Sequence, residues 1–507
     1  MPVVVGEELS IEDVVAAARG EPVELSPAAR KRMESSRRVI EQKAEAGETV
    51  YGVTTGLGSL ANVRLEPEEV RDLQRKLLRS HAVAVGPPLS EWEVRAMLLL
   101  RAHCLALGHS GVRPLIVDRL IDFLNREVYP LVPEQGSLGA SGDLAPLAHL
   151  ALPLIGEGAV SFEGEPAPAA EALKRAGLEA LSLEPKEGLS LINGTQGMLA
   201  VGLLAADRGR ALAKAADVAA AMTVEAILAT DRSFDERLHR LRPHPGQAAS
   251  ASNIRRLLEG SEIVASHRES RHLVQDAYSL RCAPQVHGAF RDVLGYAVGV
   301  MTVEMGSVSD NPIVTDDGEV VSGGNFHGQP VAVALDALAG ATVGLASISE
   351  RRLYRLLDPS TNNGLPAFLV ERSGLNSGFM IVQYTAASLV SESKTLAHPA
   401  SADSIPSSAG QEDHVSMGMT SARHARDIVG NAEVVVALEA LVAAQALELR
   451  KPLKPAKGTA AALAAIREEI AFLTADRELK PDVDEAIELL QSGALVEAVG
   501  AAIGSLD

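Results

Sequence analysis

Five long stretches in the second half of the chain, 198–230, 285–307, 331–357, 379–396 and 420–450, are rich in Ala and Leu, with few helix breakers. Their apolar residues recur at three- and four-residue spacing, which predicts helices, each several turns long at about 1.5 Å per residue. Helices of this kind cannot bury their apolar stripes alone. The expected fold is therefore mainly α, a long-helix bundle extended by contact with other copies of the chain. The same spacing predicts shorter helices at 11–18, 27–46, 67–80, 90–107, 113–125 and 144–155. The change of character places a domain boundary after residue 197, dividing an N-terminal domain, 1–197, from a bundle domain, 198–507. The polar stretch 162–186 between them predicts a short hairpin or excursion without chemistry.

Composition removes several classes of function. A net charge of −19 with the acids spread along the chain argues against a nucleic-acid backbone or an anionic membrane as partner. A small-molecule substrate is more natural. Cys104 and Cys282 have no metal-type spacing and form no disulfide framework, which fits a reducing cytoplasm. The segment Met1 to Glu8 lacks a basic region followed by an apolar core, so no secretory signal is expected. The most membrane-like stretch, 331–349, is interrupted by Asp336 and dominated by Ala and Gly, which reads as a buried helix. No metal is expected: His239 and His244, like His267 and His272, are five apart, off the face a helical site would use, and His-Glu-x-x-His does not occur. A phosphate-binding Gly-Lys-Ser/Thr loop is also missing.

Function then has to sit in the short polar loops between the helices, 51–58, 133–143, 231–247, 275–282, 309–329, 359–366 and 398–418. Within Gly139-Ala140-Ser141-Gly142-Asp143, three small residues can build an electrophile from their own backbone. If the Gly142 amide nitrogen attacks the Ala140 carbonyl and the ring loses water, and Ser141 then loses its hydroxyl, the product is a methylidene-imidazolone (MIO). Glycine in third place lets the chain fold back far enough for nitrogen to reach carbon. By itself Ala-Ser-Gly is equally a turn leading into the helix at 144–155.

The loops together resemble the MIO-dependent aromatic amino acid ammonia-lyases, most closely the branch that acts on histidine. The matching segments run in order from Tyr51-Gly52-Val53-Thr54-Thr55-Gly56 through Gly139 to Leu144, Leu191-Ile192-Asn193-Gly194-Thr195-Gln196 and Gln275-Asp276-Ala277-Tyr278-Ser279-Leu280-Arg281-Cys282. They continue with Ser309-Asp310-Asn311-Pro312, Gly323-Gly324-Asn325-Phe326-His327-Gly328 and Gln411-Glu412-Asp413-His414-Val415-Ser416. The resemblance implies a mainly α-helical homotetramer with each active site assembled from loops of three subunits. It implies an MIO made autocatalytically from Ala140, Ser141 and Gly142, with no external cofactor. The implied reaction is elimination of ammonia from L-histidine to give trans-urocanate.

Such an elimination has two difficulties: an amine leaves poorly, and the β-proton is barely acidic. An electrophile that captures the nitrogen addresses the first, and a positioned base addresses the second, typically for ~10²–10⁴ in rate. By resemblance Tyr51 is that base; a phenol ionises near pH ~10 in water, so the role needs a site that favours phenolate. Arg281 is the implied clamp for the substrate carboxylate, since a guanidinium can hold both oxygens. Asn193, Gln275 and the catalytic Tyr278 are implied partners of the carboxylate, the MIO carbonyl and the amine, and Phe326 the aromatic wall. Judged singly, Tyr51 could be a packing residue, Arg281 a surface arginine, Phe326 a core side chain, and each amide a loop residue bonding its own backbone.

Two positions address the substrate side chain. Glu412 can accept from an imidazole N–H or hold the ring cationic, which a phenyl ring cannot use, and His81 can pair with the other ring nitrogen. Phenylalanine- and tyrosine-directed relatives tend to carry Phe-Leu or His-Leu at the Ser80-His81 pair and Gln in place of Glu412. Departures from the family pattern are Thr54 for the usual Asn, Leu57 for a common Phe, Gly410 for Asn, and Tyr384 for a smaller residue. The alternatives are a phenylalanine or tyrosine ammonia-lyase, an aminomutase of the same family, and, from a different class, a non-catalytic helical scaffold.

Overall fold

The computed structural model describes residues 1–56, 64–269 and 274–507. The fold is mainly α, and the eleven helical stretches read from spacing all form. By internal contacts the chain divides into two units. The first comprises Met1–Leu204, Ala297–Asp336 and Pro399–Arg423, and the second Ala205–Tyr296, Ala337–His398 and His424–Asp507. A single cut after residue 197 does not describe this division. The later segments join the first unit because they bond to it: Met417 N donates to Leu138 O at 3.2 Å, and Lys186 Nζ to Asp310 Oδ2 at 2.8 Å.

In the first unit, helix Glu91–Ala106 is buried on every side from Glu93 to Ala106 and packs against Ile11–Ala18 and Pro114–Asn125. Its start is set by Ser90, whose hydroxyl accepts from Glu93 N while Glu93 reaches back to the Ser90 amide, satisfying two otherwise orphaned donors. Helix Pro67–His81 carries Arg79 in its last turn, where a cation complements the helix dipole, and ends at His81. Among the described residues four small sheets supplement the helices, and one of them leads into the loop of interest. There Val85–Pro88 pairs antiparallel with Pro133–Gln135, Val85 opposite Gln135 and Pro88 opposite Pro133, just before residue 139. The hairpin expected in 162–186 is Ala159–Phe162 with Glu165–Pro168, followed by helix Ala169–Arg175.

In the second unit, polar bonds tie the long helices to one another inside an Ala- and Leu-rich interior. Arg352 and Glu439 form a fully buried ion pair at 2.6 Å, and Thr223 and Ser349 donate to the same carboxylate. Those added donors are what a buried charge pair needs to offset its desolvation. Asp217 is likewise buried and bonded by Ser250, His287 and Arg291. The segment 231–247, expected as a loop, contains a 3-10 turn Asp231–Phe234 and helix Glu236–Arg240, and helix Pro245–Leu257 begins within it. Helix Gln329–Leu357 is long and apolar enough to cross a membrane, and 56% of its apolar window is buried inside the structure. Both cysteines are free.

Candidate active site

The turn around Ala140-Ser141-Gly142 is held from two sides, and both holds exploit missing side chains. Gly139 has φ +73°, and a Cβ there would fall 2.2 Å from Ser416 Oγ. Gly142 has φ +74°, and its Cβ would fall 2.0 Å from Gly194 O, so only glycine fits the approach. Asp143 N donates to Gly194 O at 2.7 Å, and Asn193 Nδ2 donates to Ser141 O at 3.1 Å. Asn193 Oδ1 is buried with no partner among the described residues. Asp143 itself is fully buried, accepting from Ser137 Oγ at 2.7 Å and from Met198 N at 2.8 Å. Burial pushes its carboxyl up to about 6, against the lowering effect of its bonds to Met198, Ser137 and Gly197.

A cavity of about 1070 Å³ opens over this turn. It brings together Tyr51, His81, Ala140, Ser141, Asn193, Phe326 and Glu412 from the sequence-based set. Gly142 lines a second, smaller cavity of about 180 Å³, with Ala140, His81 and Glu412 common to both. Ser141 Oγ donates to Glu412 Oε1 at 3.2 Å, and Ser407 Oγ donates to Glu412 Oε2 at 2.8 Å, so the carboxylate is anchored from behind. His81 ends its helix with Nδ1 2.9 Å from Leu77 O. Burial lowers the His81 pKa, opposed by the Leu77 carbonyl and by the charge of Glu412. The loop carrying Tyr51 is closed on itself by Thr54, whose hydroxyl donates to Glu48 O at 2.6 Å and accepts from Val50 N at 2.9 Å.

Gln275, Tyr278 and Arg281 belong to the second unit and line no part of this cavity. Tyr278 is 71% exposed. Arg281 lies over its ring, 4.6 Å from the centroid, with Nε donating to Asp276 O at 2.9 Å. Gln275 borders a separate small pocket with Thr230 and Arg232. The cavity wall also holds groups not singled out from sequence. Asn311, His327 and His414 line it, the two imidazoles stacked 5.9 Å apart with 5° between their planes. Both histidines lie inside the motif segments 323–328 and 411–416. Asp143 and Ser407 were missed as supports because their role depends on partners distant in sequence.

A family model for aromatic amino acid lyases matches residues 9–468. The chain belongs to that family. Histidine ammonia-lyase from Sorangium cellulosum (strain So ce56) is 55% identical to it over 512 residues, 99% of each chain. Among solved structures, histidine ammonia-lyase from Trypanosoma cruzi matches with TM-score 0.92 and 42% identity, covering 99% of this chain and 96% of that one. Tyrosine aminomutase from Streptomyces globisporus matches with TM-score 0.95 and 38% identity over the full length of both.

Within this lyase the departures from the family pattern fall in different places. Thr54 is buried and makes the loop-closing bonds described above. Leu57 lies outside the described residues. Gly410 has φ +86° in a short turn two residues before Glu412, a backbone that a side chain would strain. Tyr384 is 59% exposed in the second unit and does not touch the cavity.

Proposed function

We propose that this lyase eliminates ammonia from L-histidine to give trans-urocanate, using an MIO formed from its own Ala140, Ser141 and Gly142. The observation that carries the proposal is the pairing of Glu412 and His81 in one cavity with Ser141, two polar groups suited to the two ring nitrogens of an imidazole. The 55% identity to a histidine ammonia-lyase supports the same substrate. The residues present fit the MIO: Gly142 has no room for a side chain, and Ser141 and Asn193 are already bonded to each other. Once formed, the MIO would supply the electrophile that makes the substrate amine a good leaving group.

The chain's own groups would do the rest. Tyr51 takes the β-proton, Glu412 and His81 orient the ring, Phe326 forms an aromatic wall, and Asn193 offers its amide to the reacting end. Arg281, Gln275 and Tyr278 would reach the cavity from another subunit of a homotetramer, with Arg281 clamping the carboxylate. A cytoplasmic setting, with neither nucleic acid nor membrane as partner, fits the acidic chain and its free thiols. Assaying histidine, phenylalanine and tyrosine side by side for the unsaturated acid tests the reading. Histidine should be preferred strongly, and equal turnover of phenylalanine or tyrosine would overturn it.

A second reading draws on the full-length match to tyrosine aminomutase. A mutase returns the amine to the β-carbon, so a β-amino acid in the same assay would identify it.

A further inference from the structure

Arg101 is one of the two largest side chains among the described residues to be buried completely. It interrupts the apolar helix Glu91–Ala106, where a charge needs a strong reason to be. Its directional bonding comes from one nitrogen: Nη1 donates to Asn193 O at 2.9 Å and to Gln196 Oε1 at 2.6 Å. Nε and Nη2 have no partner among the described residues. Gln196 is fixed in turn, its amide donating to Ser309 Oγ at 2.9 Å. The guanidinium lies so close to Gly194 that a Cβ there would sit 2.4 Å from Nη1. Its charge is shared with a neighbour: burial would raise the Asp310 carboxyl, but Lys186 and Arg101 outweigh that and hold it low.

The Asn193–Gly194 segment held in this way is the same one that grips the tripeptide. Asn193 Nδ2 bonds Ser141 O, and Gly194 O both accepts from Asp143 N and fills the space beside Gly142. We propose that Arg101 is a positioning residue for ring closure, fixing Asn193–Gly194 as the abutment that presses Gly142 toward Ala140. The inference rests on the reading that Ala140, Ser141 and Gly142 form the MIO. In that closure Gly142 N bonds to the Ala140 carbonyl carbon, and its proton passes to the carbonyl oxygen. The resulting hydroxyl leaves as water with the Ser141 amide proton, forming a C=N bond. The Ser141 hydroxyl leaves as a second water with the Cα proton, forming the methylidene. Arg101 takes no proton and touches no reacting atom. Its contribution is to hold the backbone so that nitrogen and carbon meet, the kind of orientation that governs intramolecular rates.

The test is intact mass and near-ultraviolet absorbance of purified full-length protein, which report the loss of two waters without any assay of turnover. Arg101→Met should keep the parent's circular dichroism and yet show at least ~10-fold fewer dehydrated chains, while Arg101→Lys, which keeps a charge and a donor, should recover part of the dehydration. Gln196→Leu, which removes one of the two acceptors, should give an intermediate fraction and decides the matter if Arg101→Met fails to fold. Full dehydration in folded Arg101→Met, or in Gln196→Leu, overturns the role of Arg101 and leaves the functional reading intact. A parent protein that has lost no water overturns both.

Discussion

Ser141 Oγ and Glu412 Oε1 stand 3.2 Å apart although 271 positions separate the two residues in the chain. The hydroxyl that must depart when an MIO forms is thus bonded to the carboxylate proposed to read the substrate ring. Once the hydroxyl has gone, Glu412 keeps its bond from Ser407 and is left with one oxygen facing the cavity.

Replacing Glu412 with Gln should cut kcat/KM for histidine by at least ~10²-fold, because a site built around a polar contact loses heavily when the contact is mismatched. Phenylalanine turnover should change little. Steady-state kinetics on both substrates check this, and unchanged histidine kinetics would remove Glu412 from substrate recognition.

Ser141→Ala should fold normally and show almost no lyase activity. Relative to the undehydrated chain it loses only the bond from Ser141 Oγ to Glu412, worth about 1 kcal/mol. Circular dichroism should match the parent, and the intact mass should equal that of the undehydrated variant chain. Substantial activity in this variant would refute the MIO assignment.

Inactive variants should complement each other. Tyr51 lines the cavity of the first unit and Arg281 lies in the second; in the proposed tetramer Tyr51 of one chain would meet Arg281 of another. Tyr51→Phe and Arg281→Ala chains, unfolded, mixed and refolded, should regain a fraction of parent activity, whereas each refolded alone should not. A fully active monomer in sedimentation would contradict the prediction.

Acid should weaken the fold partly through His103. This ring is buried with Nδ1 accepting from Gly6 N, and burial lowers its pKa to about 4. The unfolded chain therefore takes up this proton first, and the stability is lost as pH falls from about 6.5 toward about 4. The full shift amounts to about 3 kcal/mol. Asp143 works in the opposite sense, since a carboxyl raised to about 6 gains its proton earlier in the folded state. Urea midpoints at pH 7.5 and 4.5 should differ less in His103→Gln than in the parent, and equal differences would exclude the His103 contribution.

The long helices were legible because many turns repeat the same apolar spacing, and the motif loops because their residue types are chemically specific. Three-residue strands such as Pro133–Gln135 were not, since they offer too few alternations to register as a period. The division by contacts was not legible because Ser309, Asp310 and Ser416 bond to distant parts of the first unit, a fact of tertiary structure without local signature. Arg101 did leave a signal: a lone charge inside Met97-Leu98-Leu99-Leu100-Arg101-Ala102 requires a buried partner. Finding that partner in Asn193 required the fold.

The helix-end position of His81 has one further consequence. Nδ1 lies 2.9 Å from Leu77 O, which can only accept, and 3.0 Å from Ser80 Oγ; with its hydrogen on Nδ1 and donated to the carbonyl, the neutral ring keeps Nε2 as a lone-pair acceptor. A carboxylate at Glu412 is an acceptor as well. A neutral imidazole brings one N–H and one lone pair, whereas an imidazolium brings two N–H groups, and only the latter matches two acceptors at once. For the proposed substrate, binding should therefore weaken as pH rises through the free ring's own titration near ~6.5. Methylation of either ring nitrogen should remove one of the two contacts. Recognition at this end of the cavity then depends on how many protons the substrate ring carries, over and above its shape.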